Sequence, residues 1–330
     1  MQTVTIAGIT VERTAALAPM AGVADTPYRT LCKRMGAVMT TSEMISAKGL
    51  CYDSRGSAAL CRITPEERPM ALQLFGNEPD FIARAARMVQ EYKPDLIDLN
   101  MGCPVQKVTA QGAGSALMKT PDLAAACVRA AVAASDVPVT VKMRIGWDEQ
   151  SRNAVPFALA MEEAGVAALT VHGRTRSQLY SGKADWEAIA AVKAAVRIPV
   201  IGSGDVTDAA SCEAMYRETG ADLVCIGRAS YGNPWIFSEI GAHLRGEDWR
   251  APTPDERMEM MLLHIRMILQ HSDKPPALAI REARKHASWY MTGGRGAAAF
   301  RARCYTLSSY EEAERLAEDF LLVNREPQQN

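Results

Sequence analysis

The sequence predicts an α/β chain: a (β/α)8 TIM barrel followed by a small C-terminal helical bundle. Three observations predict it. Short apolar, β-rich runs recur about every 25–30 residues over roughly the first 230, as eight strands with intervening helices require. Most of these runs stay apolar for several consecutive positions, the pattern of parallel strands covered on both faces. After about residue 245 the strand-like runs stop and the pattern becomes helical throughout.

The expected strands, in order, are 15–22, 37–46, 69–76, 95–104, 138–146, 167–175, 199–206 and 222–229. Before the first, VTIAGITV (4–11) reads as a hairpin closing the barrel bottom around Ala7-Gly8. Helices are expected at 80–92, 120–135, 185–196 and 207–220. Thr120 and Thr207 are the expected caps, Pro121 suits a first helical position, and Gly220 is the expected stop. The stretch 48–66 reads as a helix with a long loop. A doubly wound sheet is the alternative fold, but its Gly-rich first turn is missing. The nearest match, GAGSAL (112–117), lacks the third glycine and does not directly follow a strand.

APTPDE (251–256) reads as a linker into a helix, and four helical patterns follow it. The chain therefore divides into a barrel domain, 1–245, and a helical domain, 246–330, ending in a frayed tail at 325–330.

Composition narrows the function classes. The 330 residues are 48% hydrophobic with a net charge of -1, so bulk charge neither demands nor excludes a nucleic-acid partner. No apolar run reaches the roughly 20 residues of a membrane span, and the N-terminus lacks signal-peptide character. The eight cysteines form no C-x-x-C pair, and the five histidines no zinc-type spacing. A reduced, cytoplasmic protein without a metal, a membrane or an obligate protein partner is expected.

Barrel chemistry sits at the carboxyl ends of the strands. Those ends supply Met20, Gln73, Asn100 and Cys103, Lys142 and Arg144, and His172 and Arg174. The last two strands end in Gly202-Ser203-Gly204-Asp205 and Gly227-Arg228, which resemble a phosphate cradle backed by helix ends. If Val139, Val141 and Met143 face the helices, Lys142 faces the barrel interior. There it serves either a structural ion pair with Asp98 or Glu43, or an electron-rich ligand above it. The amides of Gln73 and Asn100 suit a heteroaromatic ring such as a flavin or a pyrimidine.

The motifs LAPMAGVADTPYR, ALQLFGNEP, DLNMGCPVQKV, GAGSALM, VKMRIGW, LTVHGRTRSQLYSG, IGSGDV and CIGRASYGNPW cover the barrel. Together they resemble the bacterial tRNA-dihydrouridine synthases. RKHASWY and GAAAFR in the helical domain resemble the B-type branch. The resemblance implies FMN-dependent, NADPH-driven reduction of the C5–C6 double bond of a D-loop uridine in tRNA, at a position such as 17. It implies hydride from flavin N5 to C6 and a proton from Cys103 to C5. Ala18, Pro19, Met20, Gln73, Lys142 and His172 would line the flavin; Ser203, Gly204, Asp205, Gly227 and Arg228 would hold its ribityl phosphate. Asn100 and Arg174 would lie near the uracil. Ser203 stands where the family usually has Asn, and Tyr28 and Ala24 replace the more usual Phe and Thr.

Residues 281–303 carry Arg281, Arg284, Lys285, Arg295, Arg301 and Arg303 against the single acid Glu282. With Trp289 and Tyr290 interleaved, they read either as a tRNA-gripping, base-stacking surface or as a solvated basic face over an aromatic core. Two other functions are open to the residues alone. One is an FMN barrel acting on a free small molecule, such as a dihydroorotate-type oxidoreductase. The other is a non-catalytic nucleic-acid-binding barrel.

Overall fold

The computed structural model describes residues 2–325. Of the expected tail, Arg325 closes the last helix and 326–330 lie outside the described residues. The chain opens with the hairpin β1 (Thr3–Ile6) and β2 (Ile9–Glu12), turned at Ala7-Gly8 with positive φ at both positions. Then come β3 (Ala15–Leu17), α1 (Thr26–Arg34), β4 (Thr40–Ser46), α2 (Ala47–Cys51) and α3 (Arg55–Ala59). The barrel continues through β5 (Met70–Phe75), α4 (Pro79–Val89), β6 (Leu96–Met101), α5 (Gln106–Thr109), α6 (Pro121–Ala134), β7 (Val139–Arg144) and α7 (Ala154–Glu163). It ends with β8 (Ala168–His172), α8 (Trp186–Ala195), β9 (Val200–Ser203), α9 (Ala209–Thr219), β10 (Leu223–Ile226) and α10 (Ile236–Arg245). Four helices follow: α11 (Pro254–His271), α12 (Pro276–Tyr290), α13 (Ala297–Cys304) and α14 (Tyr310–Arg325).

All eight strands β3 to β10 pair in parallel, in the order β3-β10-β9-β8-β7-β6-β5-β4. Leu17 N donates to Met39 O at 2.9 Å and Val38 N to Ala15 O at 3.0 Å, which closes the ring. This is the (β/α)8 TIM barrel. The hairpin plugs its amino end. Ile6 and Val11 pack there against Ala71, Leu96, Ala168 and Leu223 from the starts of the strands. Full burial of such a side chain contributes about 2 kcal/mol. With the bottom sealed, the carboxyl mouth is left for chemistry.

Local rules explain where the elements differ from expectation. The segment 48–66 holds two short helices and a 3-10 turn rather than one helix with a loop; Ser46 and Ser54 each restart the backbone as side-chain caps. α9 is capped by Asp208, one residue beyond Thr207, and Gly220 stops it at φ 65°. Thr120 stands at the N-cap of α6 as expected, but it makes no side-chain cap bond; its hydroxyl turns back to Leu117 O.

The helical domain has a core of its own, with Met261, Ile265, Ile280, Leu316 and Phe320 fully buried. It docks on the barrel through aromatic rings. Tyr28 of α1 stacks on His264 of α11 at 5.5 Å, and His286 of α12 lies 4.5 Å from His264. Tyr28 also donates its hydroxyl to Ser230 O and Oγ at 2.5 and 2.8 Å, tying α1 to the turn after β10. Phenylalanine at position 28 would lack that tie.

Candidate active site

The end of β6 is held by a chain of hydrogen bonds that begins inside the barrel. Asp98 and Thr140 are paired across β6 and β7, and Thr140 Oγ1 donates to Asp98 Oδ1 at 2.6 Å. Gln73 Nε2 donates to Asp98 Oδ2 at 2.7 Å. The carboxylate only accepts, so it turns the Gln73 amide nitrogen inward and leaves Oε1 to receive Asn100 Nδ2 at 2.8 Å. Asn100 Oδ1 then accepts the backbone N–H groups of Gly102 and Cys103 at 3.2 and 2.9 Å. A buried polar group must be satisfied, and here each bond orients the next.

The Cys103 loop is fixed from two further sides. Ser115 donates both its N–H and its hydroxyl to Cys103 O, at 3.1 and 2.9 Å. Arg144 Nε donates to Gly102 O at 2.8 Å. Gly114 sits at φ +60°, and a Cβ there would meet Cys103 O at 2.8 Å. The GAGSAL stretch, uninformative as a dinucleotide fingerprint, is thus the brace of this loop. Burial raises the half-buried Cys103 thiol above its ordinary pKa; the Val105 N–H and Arg144 pull it partly back. The sulfur is a thiol, not a thiolate, at neutral pH.

Val139, Val141 and Met143 lie in the core between strands and helices, and Lys142 points into the barrel. Neither expected structural partner takes it. Asp98 spends its oxygens on Gln73 and Thr140, and Glu43 accepts from Gly22 N. Among the described residues Lys142 Nζ has no hydrogen-bond or ion-pair partner. Burial therefore lowers its pKa, and Arg144 lowers it further, while Cys225 and Asp98 oppose. An anion placed against Lys142 would favour its charged form. His172 lies beside it. Burial, then the cations Lys142, Arg144, Arg174 and Arg228, hold its pKa well below the ordinary histidine value. It is a neutral imidazole with one donor and one acceptor.

The loops after β9 and β10 complete the mouth. Gly204, at φ +118°, approaches His172 so closely that a Cβ would lie 3.0 Å from its ring. Asp205 follows with φ 59° and accepts Ala184 N at 2.6 Å. The positive helix end expected after Asp205 is already answered, because the Asp208 carboxylate caps α9. After β10 the chain makes only a 3-10 turn, Arg228–Ser230, before α10.

One cavity of about 590 Å³ gathers these groups. It is lined by Ala18, Pro19, Met20, Gln73, Asn100, Cys103, Lys142, His172, Ser203, Gly204, Asp205, Gly227 and Arg228. Arg144, read at its strand end but given no role, lines it too, as do Tyr180, Cys225 and Tyr231, which sequence reasoning did not assign to the site. The two tyrosines lie inside the LTVHGRTRSQLYSG and CIGRASYGNPW motifs, but neither was given a role.

Three expected substrate contacts are corrected. Arg174 does not line the cavity; it is 2% exposed and pairs with Asp205 at 2.7 Å, behind the wall. Tyr290 is buried against Trp235 and His264, so it offers no face to a base. Trp289 is half-buried and spends its ring on Tyr231. Of the basic cluster, Arg284 donates to Leu307 O, Arg301 to Met291 O, and Arg303 pairs with Asp319. Arg281 and Arg295 are exposed and Lys285 is half-buried.

A parallel barrel with a plugged bottom, and with a thiol and an unpartnered lysine on one cavity wall at its mouth, has the architecture of a barrel enzyme. Comparison with known proteins makes the class specific. The dihydrouridine synthase (Dus) family model matches residues 16–324. A "probable tRNA-dihydrouridine synthase" of Rickettsia bellii is 45% identical over 86% of this chain and 87% of its own length. The tRNA-dihydrouridine synthases B of Pseudomonas putida and Pseudomonas aeruginosa are 42% and 43% identical; each comparison covers 92% of this chain and 90% or 91% of the relative. The chain belongs to the dihydrouridine synthase family, in its B-type branch. Among the described residues no helix is long and apolar enough to cross a membrane, and no group of three or more His, Cys, Asp or Glu side chains could hold a metal.

Proposed function

We propose that this chain is a cytoplasmic, FMN-dependent tRNA-dihydrouridine synthase that uses NADPH to reduce a D-loop uridine. The barrel (1–245) would carry cofactor and chemistry, and residues 246–330 would grip the tRNA. The observation that carries the reading is the placement of Cys103 and the unpartnered Lys142 on one cavity wall, in a chain of this family.

The residues present fit the cofactor. Lys142 is a half-buried donor with no hydrogen-bond or ion-pair partner among the described residues, and Gly204 leaves a cradle that any side chain would fill. Ala18, Pro19, Met20, Gln73, Lys142 and His172 would meet the flavin ring; Ser203, Gly204, Asp205, Gly227 and Arg228 would surround the ribityl phosphate. The Asp205 carboxylate is tied to Arg174, so that position would serve through its backbone N–H. When bound, FMN supplies the hydride for uracil C6.

The protein's own part is proton delivery and orientation. Hydride addition at C6 leaves negative charge on the C5 side of the ring, and Cys103 Sγ–H gives its proton to C5 as general acid. The raised thiol pKa keeps that proton in place at neutral pH. Asn100, Ser115 and Arg144 aim the thiol through its backbone. Asn100 borders the base's place, and neutral His172 can donate without adding charge. The uracil must be unstacked to reach this depth, at a cost of a few kcal/mol.

Purified protein should be yellow, bleach on NADPH, and form dihydrouridine in tRNA lacking it. Cys103→Ala should keep the flavin and its bleaching but lose turnover on the order of 100-fold or more. Normal turnover in that variant would remove the proton-donor assignment. A colourless wild-type protein inactive on tRNA would remove the whole reading, and activity on free dihydroorotate or uracil alone would favour a small-molecule oxidoreductase.

A further inference from the structure

The cavity rim on the side of the helical domain is aromatic, and its aromatic wall is built from both domains. Tyr231, in the turn after β10, lines the cavity. Trp289 of α12 lies flat against it, with centroids 4.2 Å apart and planes 14° from parallel. Trp289 is itself flanked by His286 at 5.1 Å in a T-shaped contact. The backbone locks this pair. Gly232, at φ +60°, is so close to α12 that a Cβ would lie 2.3 Å from Trp289 O and 2.8 Å from Tyr290 N. From the barrel side, Tyr28 holds Ser230, the residue before Tyr231. Tyr180 also lines the cavity, more than half exposed, with the Arg228 guanidinium 4.5 Å over its ring.

A ring with one face covered and its neighbours fixed has lost its rotamer freedom before any ligand arrives, so stacking on it costs little further ordering. It lines the same cavity as Cys103 and Lys142, from the turn after β10 at the barrel mouth, where a nucleotide next to an unstacked uridine can be met. A base there needs a π-face, because its own stacking partner has been withdrawn.

We infer that Tyr231 stacks on a base flanking the reacting uridine, and that Trp289 is a positioning residue that acts through it. The inference rests on the proposed reaction on tRNA and adds a site to it. It also gives the helical domain a second role, that of setting one wall of the substrate pocket.

The test is steady-state and single-turnover kinetics on unmodified tRNA with full-length protein, together with the flavin content of each variant. Tyr231→Leu should raise KM for tRNA roughly tenfold to a hundredfold, with a much smaller change in kcat. Tyr231→Phe should restore KM to near wild type. Trp289→Leu should raise KM similarly, and the double variant should be no worse than Tyr231→Leu alone, because the two act as a unit. Unchanged KM in Tyr231→Leu would overturn the inference. So would additive effects, or loss of flavin in Tyr231→Leu, which would assign the ring to the cofactor. A wild-type enzyme inactive on tRNA would instead sink the underlying reaction.

Discussion

Gly114 offers a test of how the Cys103 thiol, the proposed proton donor, is aimed, without touching the thiol. Gly114→Ala adds one methyl group. Two costs follow. The φ of +60° disfavours an L-residue by about 1–2 kcal/mol. The new Cβ also meets Cys103 O at 2.8 Å, Val108 Cγ1 at 3.0 Å and Cys103 Cβ at 3.2 Å. Relief to an ordinary 3.4 Å contact moves the Cys103 carbonyl by about 0.6 Å, against the two Ser115 bonds that hold it. A misplacement of about 1 Å can cost 100-fold in rate, so a loss of roughly tenfold or more is expected. Gly112→Ala is the control. It has the same kind of backbone cost, at φ +79°, but meets the Asn77 side chain and not Cys103. The assay is single-turnover dihydrouridine formation by pre-reduced enzyme, with thermal melting and flavin content measured alongside. Both variants should melt lower and keep flavin; only Gly114→Ala should lose rate. Equal rates in the two would refute the claim that this contact aims the thiol.

Two predictions concern stability. Asp205→Asn leaves the Arg174 guanidinium buried without its counter-charge; because Asp205 is partly exposed, a loss of about 3 kcal/mol is expected, at the low end for a broken buried pair, read by urea unfolding. An unchanged midpoint would mean that the Ser181 and Gly182 carbonyls suffice for Arg174. For His264, burial and then Lys285 push the pKa down to about 3, so the unfolded chain takes up a proton below the ordinary histidine value of 6.5 that the folded chain refuses. Stability therefore falls as pH drops from 6.5 toward 3; His286 acts in the same direction, while Asp25, raised to about 6, opposes it. His264→Phe should remove up to about 1.4 kcal/mol per pH unit from the acid slope, measured by urea unfolding between pH 7 and 5. An unaltered slope would show that His264 is not buried neutral.

The barrel was legible because its period is long and its strands are uniformly apolar. The cavity lining was legible at the strand ends: Cys103, Asn100, Gln73, Lys142 and His172 were each read from position and line it. What was not legible depends on contacts between distant segments. Arg174 sits two residues beyond His172, yet its side chain turns away to Asp205, which no local pattern announces. The Asp98–Gln73–Asn100 chain joins adjacent strands through amides whose direction a buried carboxylate decides. Tyr231 lies inside the CIGRASYGNPW motif, but its ring partner is 58 positions away on a helix read as an RNA surface. An interleaved Trp and Tyr look alike in sequence whether they face a base or another protein ring. Here Tyr290 went to the core and Trp289 to a neighbour.

The loop that carries Cys103 owes its position to everything except sulfur. Its N–H is held by an amide, its carbonyl by Ser115, and the preceding carbonyl by Arg144. Position 103 is therefore a socket. A selenol, an alkylated thiol bearing a spectroscopic reporter, or a latent electrophile placed there would be presented to the same point of the cavity on an unmoved frame. The chemistry of the wall can be exchanged while its architecture stays as built.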